Sequence, residues 1–360
     1  MANQPKFIWR VIGAVSILSI PLLALSLEVA KDDPSVSASE IMPKAAHSVL
    51  LDVAKFDGGF VAVGERGHII TSSNGKTWQQ VSVPSRSTLT TVSVQGAAIW
   101  AAGHDGVILH SSDAGKTWQR QRAQPWSADS QELTNGSPVL DTLFIDAQTG
   151  YAVGAYSLIL KTVDGGSTWQ ALSISGDHAA VAQSEMVADS SGVFSDNDLA
   201  LGAESDPHLN AIARTDSGTL LVMGERGAGF RSNDEGQSWQ KIRLPYAGSM
   251  FGLLSLGGEK VLAFGLRGNV YQTDNAGSSW QKVTSGTQAS LLGGTLGDDG
   301  SVLLVGGNGT LLVRKANASS FTAQHVQMPT GQSPSLSAII ANGNEYLLTS
   351  DLGTINTRVQ

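Results

Sequence analysis

No cysteine occurs anywhere in the 360 residues. That absence removes a lipid anchor on a cysteine, a disulfide framework, a zinc ribbon and thiol catalysis together. Charged residues are sparse at 15%, no run of lysine and arginine appears, and the formal charge is -8 with an isoelectric point near 5.3. A surface that neutralises nucleic-acid phosphates is not expected of such a chain, so nucleic acid is excluded as a partner. The histidines, His47, His68, His104, His110, His178, His208 and His325, show no His-x-His or His-x-x-x-His spacing. Asp196-Asn197-Asp198 lacks the glycine and distal glutamate of a calcium loop, and phosphate loops and serine-hydrolase elbows are missing. Neither a metal nor a cofactor is expected.

What is plentiful is glycine, 41 residues, in a chain that is 41% apolar. This is a globular composition weighted towards turns, and long helices are not expected. One phrase recurs through it. Ser111-Ser112-Asp113-Ala114-Gly115-Lys116-Thr117-Trp118 has the form of an Asp box, Ser/Thr-x-Asp-x-Gly-x-Thr-Trp. Counting back from each tryptophan, the frame returns with Ser73, Gly75 and Trp78; with Asp164, Gly166 and Trp169; with Asp234, Gly236 and Trp239; and with Asn275, Gly277 and Trp280. An eroded copy keeps Ser320 and Phe321, 41 residues after Trp280. A period near 40 is the mark of a repeat architecture.

A second frame fixes the number of repeats. A glycine before a tight turn recurs at 64, 103, 154, 224, 265 and 306, with Ser350 in the same place, spaced by 39, 51, 70, 41, 41 and 44. Each repeat holds short apolar runs separated by turn residues, as in Val49–Phe56, Phe60–Gly64, His68–Ser72 and Trp78–Val83. Seven units of four short strands predict an all-β, seven-bladed β-propeller over residues 47–360, with insertions at 119–138 and 171–207. The second insertion is acidic, and a short helix is expected over Ala179–Val187. The last repeat ends without a fourth strand. Residues 31–46 are expected to be a tether, of which Ser35 to Lys44 is the segment available to complete that blade.

Lys6 and Arg10 precede an apolar run from Val11 to Leu27, and charge returns at Glu28 to Asp33. Residues 1–30 have the form of an export signal, either cleaved or retained as an N-terminal anchor, which sends the remainder across the membrane. A periplasmic or otherwise extracytoplasmic location is expected.

The box carboxylates suit fastening better than catalysis. An Asp side chain there can accept backbone N–H bonds within the turn, glycine supplies positive φ, and the tryptophan packs between blades. Ser73 and Asn275 cannot carry charge near neutral pH, though both accept hydrogen bonds. Asp113, Asp164, Asp234 and Asn275, with Trp78, Trp118, Trp169, Trp239 and Trp280, are therefore assigned structural roles.

The turns between second and third strands lie on the opposite face. Three carry arginine in one frame: Gly64-Glu65-Arg66-Gly67, Gly224-Glu225-Arg226-Gly227 and Gly265-Leu266-Arg267-Gly268. His104-Asp105 and Ala155-Tyr156 hold that place in repeats 2 and 3. Arginine suits recognition of carboxylates or of an acidic or C-terminal protein segment. The plainer alternative pairs each arginine with Glu65, Glu225 or Asp105 of a neighbouring repeat.

Boxes with tryptophan, Gly-x-x-Gly turns before an apolar strand, seven copies, an export segment and turn arginines together resemble the photosystem II stability/assembly factor family. These are BNR-like propellers of cyanobacteria and chloroplasts, with relatives in non-photosynthetic bacteria. The resemblance covers about residues 47 to 360 and implies a non-enzymatic, extracytoplasmic assembly or accessory role for a membrane protein complex. It makes the arginine-bearing face, with Arg66, Arg226, Arg267, Glu65, Glu225, His104, Asp105 and Tyr156, the docking surface of a monomeric propeller. In non-photosynthetic relatives the implied client is a membrane transporter, often of the resistance-nodulation-division type. The acidic insertion and the want of a plastid transit peptide depart from the photosynthetic members. A rival reading is a sialidase-like, glycan-processing or glycan-binding propeller. It needs an arginine triad and a Tyr–Glu pair, and of the five tyrosines Tyr156 alone lies in a turn of the arginine face, with no Glu in its own turn.

Overall fold

The computed structural model describes residues 33–125, 136–174 and 206–359. The export segment, most of both insertions and the helix expected over Ala179–Val187 lie outside the described residues. The chain divides into two units at Asp33/Pro34, and all described residues but Asp33 belong to the second. Among them no helix is long and apolar enough to cross a membrane.

The second unit is a seven-bladed β-propeller: six sheets of four antiparallel strands and a seventh of three, each in simple sequential order. In blade 1 the strands run Leu50–Phe56, Gly59–Gly64, Ile69–Ser72 and Gln79–Val81 from the central channel outwards. The second strands are buried on both faces, so they are continuous apolar runs such as Phe60-Val61-Ala62-Val63 instead of alternating ones. The first strands pack side by side around the channel, that of blade 7 (Leu336–Asn342) closing on that of blade 1.

The glycine frame has a steric cause. A Cβ on Gly64, Gly103, Gly154, Gly224, Gly265 or Gly306 would lie 2.0–2.5 Å from the carbonyl oxygen of the residue leading into that blade's own first strand. Immediately after each, a backbone N–H donates to that same carbonyl, as from Glu65 to Val49 and from His104 to Thr88. The turn between strands two and three is thereby pinned to the start of strand one in every blade, which places all seven turns at one end of the ring.

Two expectations are corrected. Ser35 to Lys44 does not complete blade 7, whose sheet keeps three strands among the described residues. It runs instead along the outer edge of blade 1: Ser39 N–H donates to the Val83 carbonyl at 2.8 Å, and Arg86 N–H to that of Pro34 at 2.7 Å. The edge beyond Gln79–Val81 offers unpaired backbone groups that this polar segment satisfies. The short 3-10 turn Ala45–His47 then carries the chain inward, with Ala45 buried between blades 1 and 7. Ring closure rests on contacts between those two blades, among them Ser337 Oγ to the Leu50 carbonyl at 2.7 Å and Asn356 Nδ2 to the Gly75 carbonyl at 2.9 Å.

The second correction concerns the box of blade 1. Asn74, not Ser73, occupies the acid's place: its Oδ1 accepts the N–H groups of Lys76 and Thr77 at 2.8 and 3.0 Å, while Ser72 Oγ accepts that of Gly75. One residue is missing between acid and glycine, so counting back from Trp78 lands one position early.

Candidate functional site

The boxes are fastenings. In blade 2, Asp113 Oδ1 accepts the N–H groups of Lys116 and Thr117, Oδ2 takes the Thr117 hydroxyl at 2.6 Å, and Ser111 Oγ accepts the N–H of Gly115. These bonds, the Thr117 hydroxyl first, hold the Asp113 carboxyl down at about 2. Ser238 does the same for Asp234, also at about 2, and Thr168 lowers Asp164. Asn275 repeats the geometry without charge, its Oδ1 accepting Ser279 N–H and its Nδ2 donating to Ser279 Oγ.

Each box grips the preceding blade. Trp118 is buried against Val61, Val63 and Ile69 of blade 1. Trp78, Trp169, Trp239 and Trp280 pack in the same way onto blades 7, 2, 3 and 4. The carbonyl before the box glycine accepts from the preceding blade as well: Gly165 from Trp100 Nε1 at 3.0 Å, and Glu235 from the Tyr151 hydroxyl at 2.8 Å. The acid and hydroxyl oxygens of these turns are thus spent within the turn, whereas among the box tryptophans Trp118 Nε1 donates to the Gly115 carbonyl and the indole N–H groups of Trp78, Trp169, Trp239 and Trp280 are buried without a partner. We expect Asp113→Asn, which copies blade 5, to melt close to wild type, and Asp113→Ala to melt clearly lower; equal melting temperatures for the two variants in a thermal denaturation series would contradict a hydrogen-bonding role.

The opposite end is the candidate site. At the third position of the turn frame stand Arg66, Asp105, Tyr156, Arg226, Arg267 and Asn308, all with φ between 54° and 55°, followed in blade 7 by Leu352. A left-handed conformation at a non-glycine residue is uncommon. Here the turn imposes it at one equivalent position in six blades, and Arg66, Arg226, Arg267, Tyr156 and Asn308 are exposed. Asn308, which the sequence reading passed over, was visible in Gly306-Gly307-Asn308-Gly309.

The acids of this end face inward. Glu65 Oε1 accepts the N–H of Val49 at 3.4 Å and Glu225 Oε2 that of His208 at 3.5 Å, the equivalent bond in blades 1 and 4. Asp105 Oδ2 accepts the Ser87 hydroxyl at 2.6 Å. Glu65, Glu225 and Asp105 therefore brace the entry to a first strand. Among the described residues no carboxylate forms an ion pair with Arg66 or Arg267.

The geometry divides the predicted residues. Arg226 and Arg267 belong to adjacent blades 4 and 5, while Arg66 on blade 1 is separated from them by two blades in either direction. Tyr156, 49% exposed, sets its ring edge-on to His208 at 5.1 Å, and His208 Nδ1 lies 3.9 Å from Glu225. Among the described residues no hydrogen bond joins the Tyr156 hydroxyl to a carboxylate. His104 is exposed beside it on blade 2. The described ends of both insertions reach this face: Gln124 N–H donates to the Asp105 carbonyl at 2.8 Å and Ser157 N–H to that of Pro207 at 2.9 Å.

Residues 35–126 and 120–189 match the family model described as photosynthesis system II assembly factor YCF48. The photosystem II assembly lipoprotein Ycf48 of Synechococcus sp. (strain CC9902) is 26% identical over 346 residues, covering 87% of this chain and 88% of that protein. The chloroplastic photosystem II stability/assembly factor HCF136 of Oryza sativa subsp. japonica is 34% identical over 121 residues, 30% of this chain and 28% of its own. Among solved structures, YCF48 bound to D1 peptide superposes with a TM-score of 0.61 at 15% identity, over 92% of this chain and 97% of the other. The WD40 propeller domain of Doa1 reaches 0.64 at 11% identity, over 90% and 96%, so the superpositions speak to the fold alone. The Synechococcus relative is described as a lipoprotein, whereas none of the 360 residues here is a cysteine that could take a thioether-linked lipid. The chain is a seven-bladed β-propeller whose residues 35–189 are similar to the photosystem II assembly factor family.

Proposed function

We propose that this protein is a non-enzymatic, extracytoplasmic assembly or accessory factor that binds a membrane protein through the end of the ring bearing Arg66, Arg226 and Arg267. The observation that carries the reading is the division of labour in the turns. The arginines are held outward by a left-handed backbone, while Glu65, Glu225 and Asp105 are turned back onto their own scaffold. Exposed guanidinium groups on a rigid ring suit a client segment that ends in a carboxylate or carries acidic side chains. The relatives point the same way, since those that match are described as assembly factors and one was solved with a peptide of D1. Tyr156 and His208 add an aromatic contact beside the arginines of blades 4 and 5, and the two insertions enlarge the same face. For a bacterial relative outside photosynthesis, a membrane transporter is the client we favour.

The test is an affinity pull-down from detergent-solubilised membranes with the full chain as bait. Wild type should recover an integral membrane protein, and Arg66→Glu/Arg226→Glu/Arg267→Glu should lose it while melting at the wild-type temperature. Undiminished recovery by the triple variant would remove the arginine face as the docking surface. Turnover of a sialoside by the purified chain would favour the glycan-processing reading instead.

A further inference from the structure

The seam between blades 5 and 6 is built differently from the others. Counting back from Phe321, Arg314 stands where a box has its hydroxyl, Ala316 where it has its acid and Ala318 where it has its glycine. Phe321 keeps the packing role, buried with Leu262, Phe264 and Leu304. The turn, however, has no carboxylate to gather its amides. It is closed by one bond from Ala318 N–H to the Lys315 carbonyl, and residues 315–320 are all exposed.

Beside this loop the seam opens into a cavity of about 440 Å³. Four cations line it: Lys260, Lys282, Arg314 and Lys315. Leu256, Val283 and Val302 are the apolar part of the same lining. Arg314 is held in place, its Nη1 donating to Gln272 Oε1 at 2.9 Å and its guanidinium lying 5.3 Å over the Phe321 ring. Asp274 and Asp299 are the acids that Arg314 and Lys315 feel electrostatically. Among the described residues none of the four cations forms an ion pair.

We propose that this cavity binds a phosphate ester of about sugar-phosphate size. Four like charges converging in a chain of net charge -8 repel one another, and an anion of high charge relieves that repulsion. A phosphate monoester brings close to two charges and three acceptor oxygens, which a single carboxylate does not. A fixed guanidinium fork with mobile lysine ammonium groups around it matches that geometry. The cavity has the size of small-molecule sites, and Leu256, Val283 and Val302 of its lining offer contacts to the carbon skeleton of the ester. An intact box at this seam would place an acid in the same loop, so erosion of the sixth repeat is what makes the pocket cationic. The phosphate can come from a soluble ester or from a lipid headgroup, and the experiment separates the two.

The full chain is titrated calorimetrically with glucose 6-phosphate, with glucose as the control. It is also sedimented with vesicles of phosphatidylglycerol or of phosphatidylcholine. Two variants are compared after their melting temperatures have been checked: Arg314→Gln, and Lys260→Gln/Lys282→Gln/Lys315→Gln, whose exposed lysines are not needed for folding. Saturable binding of glucose 6-phosphate, weakened at least about tenfold in the lysine variant, supports a soluble ester. Binding confined to phosphatidylglycerol vesicles and weakened to the same degree supports a lipid phosphate. Binding of neither ligand, or binding that the lysine variant retains, overturns the proposal.

Discussion

Trp100→Ala is expected to lower the unfolding free energy by about 3–5 kcal/mol, the range of large-to-small truncations in a packed core. Trp100 belongs to no box, yet it is fully buried on the second strand of blade 2 (Ala98–Gly103). Its ring stacks on Phe144 of blade 3 with centroids 3.6 Å apart and on His110 of its own blade at 4.9 Å. Phe144 in turn meets Trp169 edge-on at 5.9 Å. The indole N–H is spent on the Gly165 carbonyl of the blade 3 box. Truncation therefore leaves a cavity between two blades, unstacks two aromatic partners and removes one of the two donors to the Gly165 carbonyl, Gln121 Nε2 being the other. Trp100→Phe retains the stack and loses the hydrogen bond, and should recover most of the stability. Urea unfolding of the three proteins decides it. A Trp100→Ala midpoint within error of wild type would mean that blades 2 and 3 are not joined as described.

A second large effect is expected from pH. Asp52 and Asp141 sit at equivalent positions of the first strands of blades 1 and 3, in the wall of the channel. Each accepts the N–H of the residue after it and one from the next blade: Val92 for Asp52 at 2.8 Å and Ile212 for Asp141 at 2.9 Å. Burial pushes Asp52 up to about 7 and Asp141 up to about 6, against 3.8 for an ordinary aspartate, and the Asp141 charge adds to the shift at Asp52. Both folded-state values lie above the unfolded ones, so between pH 4 and 7 the folded protein holds protons that the unfolded chain has released. Stability then falls as pH rises through that window, by several kcal/mol in total, and levels off above it. The box acids act in the opposite sense and elsewhere. With Asp113 and Asp234 at about 2, their contribution is present above pH 4 and lost as pH falls towards 2. His68 and His110, both lowered below 6.5 by burial, oppose the fall in the upper part of that window, so the aspartates set a net decline from pH 4 that the histidines reduce. Unfolding midpoints from pH 3 to pH 8 test it, and Asp141→Asn should flatten the alkaline limb. A midpoint that rises from pH 4 to pH 7 would contradict the assignment.

Much of this architecture was legible because the propeller repeats its constraints. The glycine frame is visible from 64 to 306 since each copy answers the same carbonyl contact, and the tryptophans are visible since each fills the same wedge. Features that occur once were not. The missing residue in the blade 1 box shifts the acid from position 73 to 74, and no pattern within a single copy signals it. The segment at 35–44 was assigned to the wrong edge because both blades 1 and 7 present unpaired backbone, and sequence does not say which is nearer. Asp52 and Asp141 pass for solvent-facing residues of alternating strands; only the ring turns that face into a channel. The cations at 260, 282, 314 and 315 are dispersed over four strands and turns, and no basic run announces them. On the arginine end, the frame exposed the residue types, while the inward commitment of Glu65 and Glu225 needed coordinates.

The direction in which the boxes grip has a consequence for how the molecule comes apart. Blades 2 to 6 each hold the one before, through a box tryptophan or Phe321, and blade 1, through Trp78 and the carbonyls of Asn74 and Gly75, holds blade 7. An open array of repeats can fray from its ends one unit at a time. This ring has no end: the first-made blade depends on the last-made for its tryptophan to be covered. During synthesis the early blades must therefore wait, with apolar seams exposed, until the C-terminal strands at 336–357 arrive. Loss of any single blade should then unzip the whole circle, so that unfolding is all-or-none despite a chain of 360 residues.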